Sequence, residues 1–147
     1  MLRIAVQTKG RLNEQSMDLL KEAGVTVSQE KRKFLMRAAD FPAEIIFLRD
    51  DDIPQTVAIG AADIGIVGYN EVAEKGLDVN VLQKLGFGGC RISLAIPKTE
   101  TYTGLEYFNG KRVATSYPEI LKDFMSRNGI HTDIHVITGS VEIAPGI

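Results

Sequence analysis

Three aspartates stand in succession in the stretch "LRDDDIP", residues 48–54, between an apolar run and a proline. A carboxylate cluster at such a junction has two readings. It can be a solvated turn whose acids cap the next helix, or a site that handles a cation, a ribose or a positively charged transition state. Four further turns have the same character: Thr8-Lys9-Gly10-Arg11, Gly68-Tyr69-Asn70, Thr115-Ser116-Tyr117 and Thr138-Gly139-Ser140. Each follows a short apolar run. Lys9, Arg11 and Arg49 would bring point charge and bidentate phosphate contacts to these turns, and together they suit a phosphorylated small molecule. Ser, Asn and Gly also occupy such turns simply to cap helices, and composition leaves both readings open.

The elements that must position these turns alternate between strand and helix, which is the pattern of an α/β fold. A strand is expected over 2–7 and a helix over 12–23, with Leu12, Leu19, Leu20 and Ala23 on one face and Gly24 ending it. A hairpin through the basic turn Lys31-Arg32-Lys33 leads to a strand over 44–48. Pro54 suits the first turn of a helix over 54–59, where its missing N–H costs nothing. A short strand over 64–67 and a short helix over 71–75 follow, then strands over 79–85 and 91–96. The last unit runs from a strand over 112–115 into a helix over 119–128, with Ile120, Leu121, Phe124 and Met125 on its buried side, and returns as a strand over 134–137. In open α/β sheets ligands sit beyond the carboxyl ends of the strands, where these turns fall.

The chain as a whole narrows the field. Its 147 residues, 44% of them hydrophobic, suffice for a real core. With 17 Lys and Arg against 19 Asp and Glu the net charge is −2, which offers no field to hold a polyanion, so neither nucleic acid nor an anionic membrane is an expected partner. One cysteine, Cys90, excludes an internal disulfide, and His131 and His135 lack the companion cysteines of a zinc site. Cys90 is expected to be a buried structural thiol and the two histidines surface residues. The N-terminal apolar run is soon interrupted by Lys9 and Arg11, unlike a secretory signal, and the expected location is cytoplasmic. There is no G-x-x-x-x-G-K-[ST] loop. "GFGGC" at 86–90 joins two strand-like runs without opening a helix and reads as a hinge or crossover.

Six stretches in order, "KGRL" at 9–12, "LRDDDIP" at 48–54, "AADIGIVGYN" at 61–70, "LGFGGCRISLAIP" at 85–97, "NGKRVATSYPEILKDF" at 109–124 and "TGSVEIAPG" at 138–146, resemble the catalytic region of the ATP phosphoribosyltransferases, which open histidine biosynthesis. "DDDIP" and "GGCR" are most similar to the long, histidine-regulated form. The resemblance implies a type II periplasmic-binding-protein-like α/β fold of two lobes, here expected at 1–92 and 93–147, with the active site between them. It implies a reaction in which N1 of ATP displaces magnesium-bound pyrophosphate from C1 of phosphoribosyl pyrophosphate, with inversion. Such a transfer passes through a cationic ribose and needs a neutralised leaving group and two anions held in line.

The resemblance also implies site residues. Arg49 and Asp52 match R-x-x-D-[IV]-P, Arg49 touching phosphate and Asp52 ordering the site at a helix start, while Asp50 and Asp51 are expected to be solvated. Lys9 and Arg11 are expected at substrate phosphates. Asn70 falls where some relatives place an aspartate near the metal, and helix capping is its plain alternative. Tyr117 is expected to stack on or hydrogen-bond the adenine, and Glu142 to meet the ribose or the Mg2+. In the family a loop binding the 5-phosphate and a regulatory domain come after "SVEIAPG", so the expectation is an incomplete catalytic region whose complete enzyme is a homo-oligomer. A two-lobed module that closes on a small anion without chemistry is the competing expectation.

Overall fold

In the computed structural model residues 1–28 and 34–146 are described. The chain divides into two compact units, Met1–Cys90 and Arg91–Ile147. The boundary falls within "GGCR", at the run of glycines read as a hinge.

The first unit is built on a four-stranded sheet. Its strands are β1 (Leu2–Gln7), β2 (Leu35–Arg37), β3 (Ala43–Leu48) and β4 (Ile64–Gly65), in the order β2-β3-β1-β4. β1 lies parallel to β3 and to β4, and β2 closes one edge antiparallel to β3. The turn Lys31-Arg32-Lys33 expected in a hairpin lies outside the described residues. The period of two along β1 and β3 assigns their side chains to opposite faces. Ile4, Val6, Ala43 and Ile45 meet Leu20 of helix α1 (Arg11–Glu22) on one face. On the other, Ala5 and Ile46 meet Ile53 of helix α2 (Ile53–Ala58). Burial on both faces explains the nearly continuous apolar run of β3.

Glu44 interrupts that run and is nevertheless buried, with 7% of its surface exposed. Its register neighbours on both sides are arginines, Arg3 on β1 and Arg37 on β2. Arg3 Nε lies 3.1 Å from one carboxylate oxygen and Arg37 Nε 3.4 Å from the other. A carboxylate is tolerated in a central strand because cross-strand partners of opposite charge flank it.

Helix α2 approaches the sheet closely because residue 65 has no side chain. A Cβ there would stand 2.6 Å from Ile53 Cγ2 and 3.1 Å from Val57 Cγ2. Between α1 and β2, the loop is tied by Asp40, whose carboxylate accepts the Thr26 amide at 2.9 Å and its hydroxyl at 3.0 Å. The amide bond first, and then the hydroxyl, hold the Asp40 carboxyl below its ordinary 3.8.

The second unit pairs β5 (Arg112–Thr115) in parallel with β6 (Asp133–Val136). Helix α4 (Pro118–Arg127) joins them, after the short α3 (Tyr69–Lys75) of the first unit. Leu121 and Met125 of α4 pack with Phe108, while Phe124, expected on the buried side, is 36% exposed. Four apolar residues in six cannot all face one narrow sheet, and the two-stranded ladder covers only part of the stripe.

No strand forms over 79–85 or 91–96, contrary to expectation. Apolar alternation marks side chains that want cover, but a strand also requires a neighbouring backbone to pair with. Leu94 and Ile96 do turn toward the Phe108 cluster, whereas Ile92 is 49% exposed. Without a ladder around it, Cys90 is exposed rather than buried. His131 and His135 are exposed, and His135 Nε2 stands 2.9 Å from Asp133.

Two outcomes follow from these contacts. Gly65→Ala should lower the stability of the first unit by roughly 1–3 kcal/mol, the usual cost of overpacking, read as a drop in urea midpoint; Gly89→Ala, where a Cβ meets nothing within 4 Å, should leave it unchanged. The Asp40 tether is present above the ordinary carboxyl value of 3.8 and is lost as pH falls through the lower folded value. The Thr26 amide resonance should therefore titrate with a midpoint below 3.8, and Asp40→Asn should abolish that titration.

Candidate functional site

Parallel strands deliver their following turns to one edge of a sheet. β1, β3 and β4 are neighbours and parallel, so the turns after them come out side by side. They carry Lys9 and Arg11, Arg49 and Asp52, and Asn70 respectively. The first two turns are joined directly, as the Thr8 amide donates to the Leu48 carbonyl at 2.9 Å. Tyr117 and Glu142 belong to the second unit, where they follow the parallel pair β5 and β6 in the same sense.

Lys9, Gly10 and Arg11 are all exposed. Gly10 takes φ 92° at the start of α1, a conformation that any side chain would strain. No side chain caps this helix; Asn13 instead donates to the Gln7 carbonyl at 2.7 Å, closing the turn from behind. The first amides of a 12-residue helix are thus left facing the same edge as Lys9 and Arg11.

After β3 the chain makes a 3₁₀ turn over Asp50–Asp52 and enters α2 with Pro54 in its first turn. The three acids part company here. Asp50 Oδ1 accepts the Asp51 amide at 2.9 Å. Asp51 Oδ2 receives Arg49 Nη2 at 3.2 Å, and its Oδ1 is buried without a hydrogen-bond partner. Asp52 is exposed at the helix start, makes no side-chain cap, and uses its carbonyl to accept the Thr56 hydroxyl at 2.8 Å. The two acids expected to be solvated are therefore half-buried, and the exposed one is Asp52.

α3 begins at Tyr69 after Gly68. The Asn70 carboxamide folds back over Gly68, where a methyl group would strike its oxygen. In the second unit the Ser116 hydroxyl donates to the Ile137 carbonyl at 2.7 Å and the Tyr117 amide to Thr115 Oγ1 at 2.9 Å. The first bond ties the turn after β5 to the end of β6, and the second closes the turn on itself. Tyr117 is half-buried at the start of α4, and Glu142 is exposed in the first turn of a 3₁₀ helix over Val141–Gly146.

Among the described residues no group of three or more His, Cys, Asp and Glu side chains is placed to hold a metal ion. Magnesium usually keeps several waters and is bound through one or two carboxylates together with substrate phosphates. A single carboxylate such as Glu142 fits that mode and not a protein cage.

The clash at residue 68 involves the far end of a side chain that can rotate. Gly68→Ala should therefore turn the Asn70 carboxamide away, visible as displaced Asn70 side-chain amide resonances, and change the melting temperature by no more than about 2 °C.

A family model described as HisG, ATP phosphoribosyltransferase, matches residues 49–147. The chain is 64% identical over all 147 residues to an ATP phosphoribosyltransferase of Phocaeicola vulgatus, of which it covers 52%. It is 58% identical, with the same coverage, to that of Bacteroides thetaiotaomicron. The chain spans about half the length of the curated relatives it matches. Among solved structures it resembles the ATP phosphoribosyl transferase (HisG:HisZ) complex from Thermotoga maritima, with a TM-score of 0.76 and 31% identity, covering 99% of this chain and 68% of that one. That likeness supports the type II binding-protein-like α/β fold. The chain belongs to the ATP phosphoribosyltransferase family.

Proposed function

We propose that this chain is part of an ATP phosphoribosyltransferase catalytic region, which joins N1 of ATP to C1 of phosphoribosyl pyrophosphate and releases pyrophosphate at the start of histidine biosynthesis. The observation that carries the reading is the convergence of Lys9, Arg11 and Arg49 on one edge of a parallel sheet, in a chain of this family. Three cations beside open helix amides suit a polyphosphate better than a neutral ligand.

Each residue then has a role in the transfer. Lys9 and Arg11 hold substrate phosphate, and Arg49 neutralises charge on the departing pyrophosphate. Asp52 presents an exposed carboxylate toward the ribose as positive charge develops at C1. Asn70 orders the neighbouring turn, and Tyr117 offers a ring and a hydroxyl to adenine. Bound Mg2+, arriving with the pyrophosphate, would withdraw electrons from the leaving oxygens; Glu142 is the carboxylate proposed to meet it or the ribose. The complete protein is proposed to be cytoplasmic and oligomeric. In support of an assembly, the solved relative is a complex; no helix among the described residues is long and apolar enough to cross a membrane.

A module that binds a small anion without chemistry would use the same cationic edge, so binding and turnover must be separated. ATP and phosphoribosyl pyrophosphate should each raise the melting temperature, since a ligand of the folded state stabilises it. Pyrophosphate release with Mg2+ should then be measured beside a chain extended to the length of its relatives. Turnover by the extended chain supports the transferase; absence of turnover when both chains are folded and bind anions supports the module.

A further inference from the structure

We propose that Asp51 is a positioning residue for the anion site, aiming the Arg49 guanidinium before any ligand arrives. This rests on reading Arg49 as a phosphate contact. The Arg49 side chain is 73% exposed, and among the described residues Asp51 is its only ionic partner, 3.2 Å away. Left to itself, a long exposed side chain samples many rotamers, and ordering it on binding costs entropy. Asp51 is well placed to spare that cost. Its own amide is held at 2.9 Å by Asp50 within the 3₁₀ turn, and its second carboxylate oxygen is drawn out of solvent.

The geometry separates this role from that of a merely solvated acid by sign. A solvated carboxylate beside an anion site repels the ligand, so removing its charge tightens binding. A carboxylate that orders the binding arginine weakens binding when it is removed. Asp51 occupies a position where the two effects oppose each other, and the ordering contact is the direct one.

The test measures magnesium pyrophosphate binding at low salt to the wild-type chain, Asp51→Asn, Asp51→Glu, Arg49→Ala and the Arg49→Ala/Asp51→Asn double variant, with melting curves as folding controls. Asp51→Asn should weaken binding roughly three- to fivefold, the scale of an exposed ion pair. It should have no further effect in the Arg49→Ala background, and Asp51→Glu should recover part of the loss. The Arg49 Nε resonance should sharpen in Asp51→Asn as the side chain is released. Tighter or unchanged binding by Asp51→Asn, with Arg49→Ala still impaired, overturns the positioning role and leaves the phosphate reading intact. Wild-type affinity in Arg49→Ala, or no pyrophosphate binding by the wild-type chain, removes the phosphate reading and the proposal together.

Discussion

The cationic edge of the first unit depends on the parallel register of β1 and β3, in which Leu2 stands opposite Ala43 and Gln7 opposite Leu48. Two strands far apart in sequence leave the sheet in the same direction and at the same level. Lys9 and Arg11 thereby become neighbours of Arg49 and Asp52 without any direct side-chain bond between the two turns. The bond from the Thr8 amide to the Leu48 carbonyl carries the ladder one step past the strands and into the turns themselves. A one-residue slip of β1 against β3 would turn Ile4 and Val6 away from the face that Ile45 shares with Leu20, so the hydrophobic core enforces the alignment that the polar edge uses.

The sheet pairs its charges differently at its two ends. At the start of β1 the buried Glu44 is flanked by Arg3 and Arg37, one on each carboxylate oxygen. At the other end the cations of Lys9 and Arg11 are exposed, and among the described residues Arg49 has one ionic partner, a partly exposed aspartate. Charges that are neutralised within the sheet serve the fold, while those left facing solvent remain available to a ligand.

Sequence periodicity revealed elements whose two requirements, side-chain burial and backbone pairing, coincide. β1, β3, α1, α4 and β5 lie within a residue or two of where the apolar pattern placed them. The segments over 79–85 and 91–96 show the limit. Leu94 and Ile96 obey the alternation and pack, yet no strand forms, because alternation records cover for side chains and is silent about hydrogen-bond partners. Cys90, beside the same unpaired segment, is exposed for the same reason. The aspartate run shows a different limit. Its position at a helix entrance was legible, but which acid turns inward depends on the pitch of a 3₁₀ turn, and no property distinguishes three identical residues before that turn is seen.

The absent side chain at Gly65 also ties two positions into one unit of volume. The atom that stands nearest to a methyl group there is the Cγ2 branch of Ile53, with Val57 Cγ2 farther off. Replacing Ile53 by valine would leave a branch at Cβ, whereas leucine moves the branch one carbon outward and conserves the total size. Residues 53 and 65 therefore exchange space chiefly through a change of branching, with Val57 giving way by a few tenths of an ångström, and a sequence that gains alanine at 65 has a chemical reason to carry leucine at 53.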